Sequence, residues 1–324
     1  MIGWRRSNLK KGQKMQPLHE VFTAAIKANM ASGRASLSAA GVATARQLVR
    51  DGGLALGSGP STVQSVEVDI PTRAGKIGGL LYRPDMGDSE PPALIVYFHG
   101  GGWVAGSPQD FDAFARQLAH STACTVLSVD YRLAPEHPFP AGLEDAEDAL
   151  AWASENIGSL AANDAKIVVA GDSAGGNLAA VVSISSASKV EIVLQVLFYP
   201  VTDAAMTTHS YRQYDEGLPL TAADMKWFFS QYAPSSRWTE PSISPLRAAL
   251  PQDVPPAWIA LARYDVLHSE GLAYADRLHQ IGKLAGVVTY EDLTHGFIRW
   301  FNLIDSASVA INDAAREIQK AIRR

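Results

Sequence analysis

This sequence has one cysteine, no long apolar run and only a small excess of negative charge. The single cysteine, Cys124, excludes an intramolecular disulfide framework and predicts a reducing, cytoplasmic compartment. No stretch approaches the roughly 18 apolar residues that a membrane-spanning helix needs, so we expect no stable membrane insertion. A net charge of −5 gives no reason to expect nucleic acid as a partner. No Cys/His cluster has metal-ligand spacing, and we expect neither a metal nor an organic cofactor.

The composition is typical of a globular chain, with 47% hydrophobic and 19% charged residues among 324. Residues 1–14 are basic but lack the apolar core of a signal peptide, so we expect a solvated tail. Residues 18–31 and 36–50 have the apolar spacing of helices. We therefore expect residues 1–60 to form the tail and cap helices of a larger domain, residues 61–324.

Alternation of strand and helix patterns predicts the fold class. Strand patterns occur at residues 66–70, 77–83, 94–98, 125–131, 166–171, 191–199, 257–263 and 286–291. Helical patterns separate most of the later ones, at residues 110–120, 139–157, 175–187, 271–282 and 306–322. This order predicts an eight-stranded, mostly parallel α/β sheet with helices on both faces and an antiparallel hairpin at one edge.

One long insertion, around residues 203–250, interrupts the alternation. It contains a helix pattern rich in aromatic residues, Leu220 to Tyr232. An insertion at the carboxyl ends of parallel strands is where a lid or substrate pocket is expected. The candidate substrate-binding residues are therefore the aromatics of this helix, Trp227, Phe228, Phe229 and Tyr232, although aromatics at helical spacing also pack helices onto a core.

A G-x-S-x-G segment, Gly171 to Gly175, lies between a β-branched run and a helical pattern. That context predicts a nucleophile elbow with Ser173 on a sharp turn at the end of a strand. Its glycines suit the turn because side chains there would clash. The motif by itself also fits a tight strand-to-helix turn with no chemistry.

A second motif, His99 to Trp103, reads His-Gly-Gly-Gly-Trp and follows an apolar strand. Consecutive glycines leave backbone N–H groups uncovered, and such donors stabilise the oxyanion of a tetrahedral intermediate. A plain glycine-rich loop is the alternative. A phosphate-binding loop is disfavoured because neither of its glycine signatures is present. Trp103 joins the candidate substrate-binding residues.

A serine nucleophile needs a histidine base and an acid that orients it. Asp265 ends an apolar strand and His295 follows the last one, so topology places both on the same sheet edge as Ser173. Asp203 is the alternative acid, because it also follows a strand. Asp172 adjoins the serine, and we expect it to have a structural role.

These motifs, together with the run Val129 to Ala141, closely resemble the hormone-sensitive-lipase branch of the α/β-hydrolase esterases. The resemblance implies an α/β-hydrolase fold with a helical cap and a serine carboxylesterase that hydrolyses short-to-medium acyl-chain esters through an acyl-enzyme. It assigns the oxyanion donors to Gly101, Gly102 and Ala174, requires no cofactor, and allows a homodimer. Val266 and Ser269 depart from the proline and acid that the family commonly carries beside its catalytic aspartate.

Other functions fit the same fold, since a fold does not determine a function. They are a non-catalytic small-molecule receptor, an amidase and an interfacial lipase. The presence of both the serine and the histidine disfavours the receptor, and the absence of an extended apolar segment disfavours the lipase.

Overall fold

The computed structural model describes residues 16–33, 37–87 and 89–324. The basic segment expected to be a solvated tail, residues 1–14, lies outside the described residues. Among the described residues, no helix is both long enough and apolar enough to cross a membrane.

The described strands form one sheet of eight, in the order β1-β2-β4-β3-β5-β6-β7-β8. Their bounds are β1 Val63–Thr72, β2 Gly75–Pro84, β3 Ala93–Phe98, β4 Thr125–Val129, β5 Lys166–Asp172, β6 Ile192–Phe198, β7 Ala257–Tyr264 and β8 Leu284–Thr294. The hairpin β1–β2 is antiparallel, and β2 pairs antiparallel with β4. The other neighbours are parallel. The predicted mostly parallel sheet with an antiparallel edge is confirmed.

Ten α-helices accompany the sheet in the described part of the chain. They are α1 Glu20–Ala31, α2 Leu37–Ala55, α3 Asp112–Thr122, α4 Ala141–Glu155, α5 Ile157–Leu160, α6 Ala174–Ser185, α7 His209–Gln213, α8 Ala222–Tyr232, α9 His268–Gln280 and α10 Asp305–Ile322. Helices α3 and α10 contribute to the core on one face of the sheet. Helices α4, α6 and α9 contribute to the core on the other face.

Burial explains why the central strands are continuously apolar. Every residue of β3 is buried, and β5 is buried from Ile167 onward. A parallel strand covered by helices on both faces has no exposed side, so its side chains do not alternate between polar and apolar. Strand β1 at the edge instead mixes buried and exposed residues.

Two segments cover the carboxyl edge of the sheet. Helix α2 precedes the sheet in the chain and bends at Gly41, whose φ is +78°. Helix α8 lies in the insertion between β6 and β7, and its Asp224 accepts a hydrogen bond of 2.9 Å from the backbone N–H of Ser38 in α2. Helix α1 lies elsewhere, because Phe22 packs against Trp300 in the α3–α10 core, with ring centroids 5.0 Å apart.

Candidate active site

Ser173 lies on the turn that joins β5 to α6. Its φ of +54° is in the left-handed region that a side-chain-bearing residue rarely adopts. The neighbouring glycines permit this turn. A Cβ at Gly175 would lie 1.9 Å from the carbonyl oxygen of Phe98, and one at Gly171 would lie 2.2 Å from that of Gly175. A strained residue held by such close packing is a recurrent feature of functional sites.

Ser173, His295 and Asp265 form a continuous hydrogen-bonded relay. The Oγ of Ser173 is 2.8 Å from Nε2 of His295, and Nδ1 of His295 is 2.7 Å from Oδ2 of Asp265. A carboxylate only accepts, so the neutral imidazole donates from Nδ1 and leaves Nε2 to accept the serine proton. The three residues follow β5, β7 and β8, and the parallel sheet brings these strand ends to one edge.

The turn that carries Asp265 is held by several local hydrogen bonds. The second oxygen of Asp265 accepts from the backbone N–H of Leu267 at 2.9 Å. Ser210 Oγ donates to the carbonyl oxygen of Val266 at 2.6 Å, and the backbone N–H of Ser269 donates to the same Oγ at 3.0 Å. The two residues that depart from the family pattern are thus tied to α7.

Asp203, the alternative acid, does not contact His295. Its carboxylate is paired with Arg247, and the shortest contact is 2.8 Å, from Nε to Oδ1. Asp172 has the structural position expected of it. It accepts from the hydroxyl of Tyr97 at 2.6 Å and from the backbone N–H of Gly100 at 2.8 Å. Burial raises the pKa of Asp172, and these two donors oppose the rise.

The glycine loop after β3 lies directly beside the serine. Gly101 has a φ of +118° and Gly102 a φ of +63°, and both glycines line the same cavity as Ser173. A Cβ at Gly102 would lie 2.1 Å from the Phe228 ring. Ala174 is the first residue of α6, and the first N–H groups of a helix have no partner within it.

The buried ring of His99 packs beneath this loop and contacts its first glycine. Its ring is stacked between Tyr131 and Phe111, with centroids at 4.5 and 5.5 Å. Its Nδ1 lies 2.8 Å from the carbonyl oxygen of Gly100, which fixes the start of the loop. Burial lowers the pKa of His99 to about 4, so the ring is neutral at neutral pH.

A cavity of about 130 Å³ opens beside Ser173 and His295. Its remaining walls are mainly apolar and come from four parts of the chain: Leu37, Val49, Phe111, Val201, Pro219, Leu220, Met225 and Phe228. Arg299 and Asp172 are its charged lining residues. Sequence reasoning identified Phe228 and missed the others, because no motif marks side chains that meet only after the sheet and cap have folded.

Four of the five aromatic pocket candidates are not among the residues that line this cavity. Trp103 and Tyr232 stack on each other at 4.4 Å with nearly parallel rings and are each 1% exposed. Phe229 is also buried and packs against Trp103, with ring centroids 5.2 Å apart, so these residues pack α8 onto the loop after β3. Trp227 neighbours Phe228 on α8 at 5.0 Å but is not a lining residue. Helix α8 contributes only Met225 and Phe228 to the lining, and substrate contact by the other four aromatics stays a prediction from sequence.

No group of three or more His, Cys, Asp or Glu side chains is arranged to hold a metal ion within residues 16–33, 37–87 and 89–324. Cys124 is buried, and burial raises the pKa of its thiol to about 11. The thiol is therefore protonated at neutral pH and is a poor nucleophile.

Residues 95–299 match the model of a protein family described as alpha/beta hydrolase fold (Abhydrolase_3). The carboxylic ester hydrolase LipN of Mycobacterium tuberculosis is 38% identical over 271 residues, which cover 81% of this chain and 72% of that protein. The ethyl acetate hydrolase of Pseudomonas putida is 36% identical over 249 residues, which cover 74% of this chain and 77% of that protein.

Solved structures of ester hydrolases are also similar to this chain. A hyperthermophilic esterase from the archaeon Pyrobaculum calidifontis superposes with a TM-score of 0.88 at 36% identity, covering 94% of this chain and 99% of that one. The ester hydrolase EH1AB1 from the Lake Arreo metagenome was solved with a derivative of bipyridine phosphonate. It superposes with a TM-score of 0.89 at 32% identity, and the match covers 96% of this chain and 100% of that one.

Proposed function

Since the chain belongs to the α/β-hydrolase family and is a carboxylic ester hydrolase, we propose that it cleaves short-to-medium acyl-chain esters through an acyl-enzyme on Ser173. In this proposal His295 is the general base and Asp265 is the residue that orients it. The relay of hydrogen bonds from Ser173 Oγ through His295 to Asp265 Oδ2 is the observation that carries the proposal.

The reaction follows from the direction of these bonds. His295 Nε2 takes the proton of Ser173 as Oγ forms a bond to the ester carbonyl carbon. Asp265 stabilises the imidazolium that results. The tetrahedral intermediate then collapses, the carbon–oxygen bond to the alcohol breaks, and His295 gives its proton to the departing alcohol. Water repeats the sequence on the acyl-enzyme, releases the acid and restores Ser173.

Backbone N–H groups of Gly101, Gly102 and Ala174 stabilise the oxyanion in this proposal. The glycines border the cavity at Ser173, and Ala174 begins the helix whose amino-terminal dipole favours negative charge. Donors of this kind act on charge that develops in the transition state, and the loss of one typically lowers the rate by ~10²–10³-fold.

The size and character of the cavity favour small esters. Its volume of about 130 Å³ is modest, and most of its walls are apolar. Phe228 packs closely against Gly102, because a Cβ at Gly102 would already overlap the ring, so the cavity has no spare space between these two residues. The name of one relative, ethyl acetate hydrolase, describes a substrate of the same small size.

Hydrolysis of p-nitrophenyl esters with acyl chains of about two to sixteen carbons tests this function. We expect wild type to turn over the shorter esters and Ser173→Ala to lose about 10⁴-fold or more in kcat. The matched control is Ser183→Ala, a buried serine of the same helix whose hydroxyl has no hydrogen-bond partner among the described residues. It should keep wild-type activity.

Absence of turnover by folded wild type would contradict the proposal and favour a receptor or an amidase. Full activity of Ser173→Ala would contradict the assignment of Ser173 as the nucleophile. The cytoplasmic location, the homodimer and the boundary between residues 1–60 and 61–324 stay predictions from sequence.

A further inference from the structure

Arg299 is a cation in the wall of the cavity that contains Ser173. It lies on the 3-10 helix Phe297–Trp300, directly after the turn that carries His295. The lining residues opposite it are mainly apolar. An arginine in such a wall is unusual, because a charged group is costly to remove from water unless it is paired.

The guanidinium uses only part of its hydrogen-bonding capacity. Nη2 donates to the carbonyl oxygens of Val49 at 2.7 Å and of Asp110 at 3.3 Å. The group also lies over the Phe111 ring, 4.8 Å from its centroid. Arginine carries five N–H donors in a planar fork. Among the described residues, Nε and Nη1 make no hydrogen bond, and no carboxylate oxygen lies within 4.0 Å of any nitrogen of the guanidinium.

The nearby acids do not neutralise this charge by direct contact. Asp172 lines the same cavity, but its carboxylate accepts from Tyr97 and Gly100. Burial lowers the pKa of Arg299, and the negative charges of Asp172 and Asp110 act in the opposite direction. Arginine nonetheless stays protonated in proteins, so the cavity contains a permanent cation without a carboxylate partner.

The structural contacts of Arg299 with backbone carbonyls use only one of its three guanidinium nitrogens, Nη2. The contact of Nη2 with Val49 ties α2 to the body of the molecule. Nε and Nη1 are still open to an acceptor, and a hydrogen bond from either nitrogen to a carboxylate would be charge-assisted. A ligand that brings a carboxylate into the cavity would pair one of these nitrogens, whereas a fully apolar ester would leave both unpaired.

From this geometry we infer that Arg299 is a specificity-determining residue, and that the enzyme prefers esters bearing a free carboxylate within reach of it. The inference rests on the proposed function, since the ester must also reach Ser173. The carboxylate can belong to either half of the substrate. A monoester of a dicarboxylic acid carries it on the acyl half, and an ester of a hydroxy acid carries it on the alcohol half.

The test compares esters of matched shape that differ in charge. On the acyl side, monoethyl succinate is paired with ethyl isocaproate, in which an isopropyl group replaces the carboxylate. On the alcohol side, acetoxyacetate is paired with isobutyl acetate. The release of acid is followed by titration, and kcat/KM is measured for wild type and Arg299→Gln.

We expect the anionic ester of at least one pair to lose roughly 10- to 100-fold in kcat/KM in Arg299→Gln, the usual effect of a charge-assisted hydrogen bond. The neutral ester of that pair should change less than about threefold. Arg299→Lys keeps the charge and should retain part of the preference. The matched control is Arg50→Gln, which removes a cation of helix α2 that lines other surface clefts. It should leave both esters unaffected.

Equal losses on the charged and neutral esters in both pairs would overturn the inference and leave Arg299 as a structural contact only. A wild type that shows no preference for either anionic ester over its neutral partner would also overturn it. Failure of the proposed function is a separate result, in which folded wild type hydrolyses none of the four esters. In that case calorimetric binding of monoethyl succinate to Ser173→Ala, with and without Arg299→Gln, decides the role of Arg299.

Discussion

At the scale of single residues, two buried histidines outside the relay differ from His295 in their role. His99 supports the glycine loop, and the Nε2 of His268 lies 3.1 Å from the hydroxyl of Thr289. Burial is the main cause that lowers the pKa of each to about 4. Only His295 of these three histidines hydrogen-bonds to Ser173, so its position in the fold makes it the candidate base.

His268 predicts how stability changes with pH. Its pKa falls from 6.5 to about 4 on folding, so between these values the unfolded chain binds a proton that the folded chain does not. Stability from this group is therefore present above pH 6.5 and is lost as the pH falls toward 4. The full effect is on the order of 3 kcal/mol.

Urea unfolding at a series of pH values from neutral to about 4 measures this loss. His268→Gln should show a shallower loss of unfolding free energy on acidification than wild type. His120→Gln changes an exposed histidine on α3 and should keep the wild-type slope. Parallel slopes for wild type and His268→Gln would contradict the prediction.

At the scale of elements, Asp224 connects the two cap segments. One carboxylate oxygen accepts from the hydroxyl of Thr221 at 2.7 Å and from the backbone N–H of Thr221 at 3.2 Å, and the backbone contact closes a capping box at the start of α8. The other accepts from the backbone N–H of Ser38 in α2 at 2.9 Å. The side chain is buried, so removal of its carboxylate leaves donors unsatisfied.

Asp224→Ala should lower the free energy of unfolding by about 1–3 kcal/mol, because it removes both the helix cap and the contact with α2. It should also raise KM for short esters, since α8 supplies Met225 and Phe228 to the cavity wall. Urea unfolding and steady-state kinetics measure the two effects. Asp215→Ala, an exposed acid in the same insertion, is the control. Equal stability of both variants would disprove the bridging role.

At the scale of the whole molecule, the cap and the sheet share one core. Leu220, Met225 and Phe228 of the insertion belong to the same buried cluster as Val96 and Leu197 of the sheet. We therefore expect one cooperative unfolding transition, in which enzyme activity and far-ultraviolet circular dichroism disappear at the same urea concentration. Loss of activity well before the loss of circular dichroism would show that the cap unfolds independently.

The eight-stranded sheet and the grouping of the three relay residues were predictable from the sequence. Apolar runs located the strands that helices cover on both faces, and alternating apolar residues located β1 at the edge of the sheet. Parallel strands also bring their carboxyl ends to one edge, which is why Ser173, Asp265 and His295 could be grouped although they are far apart in the chain. The tight turn at Ser173 was also predictable, because only glycine allows the backbone to approach so closely at the flanking positions.

Which side chains line the cavity depends on the folded arrangement and could not be predicted from the sequence. Helical spacing shows that α8 is amphipathic but not which aromatics meet a ligand, so Trp103 and Tyr232 proved to stack in the core while Phe228 faces the cavity. Arg299 carries no local signal, since its isolation from carboxylates depends on α2, Phe111 and the β8 turn meeting in space. Local patterns record how each segment is buried, whereas a binding site depends on distances between segments that no local pattern records.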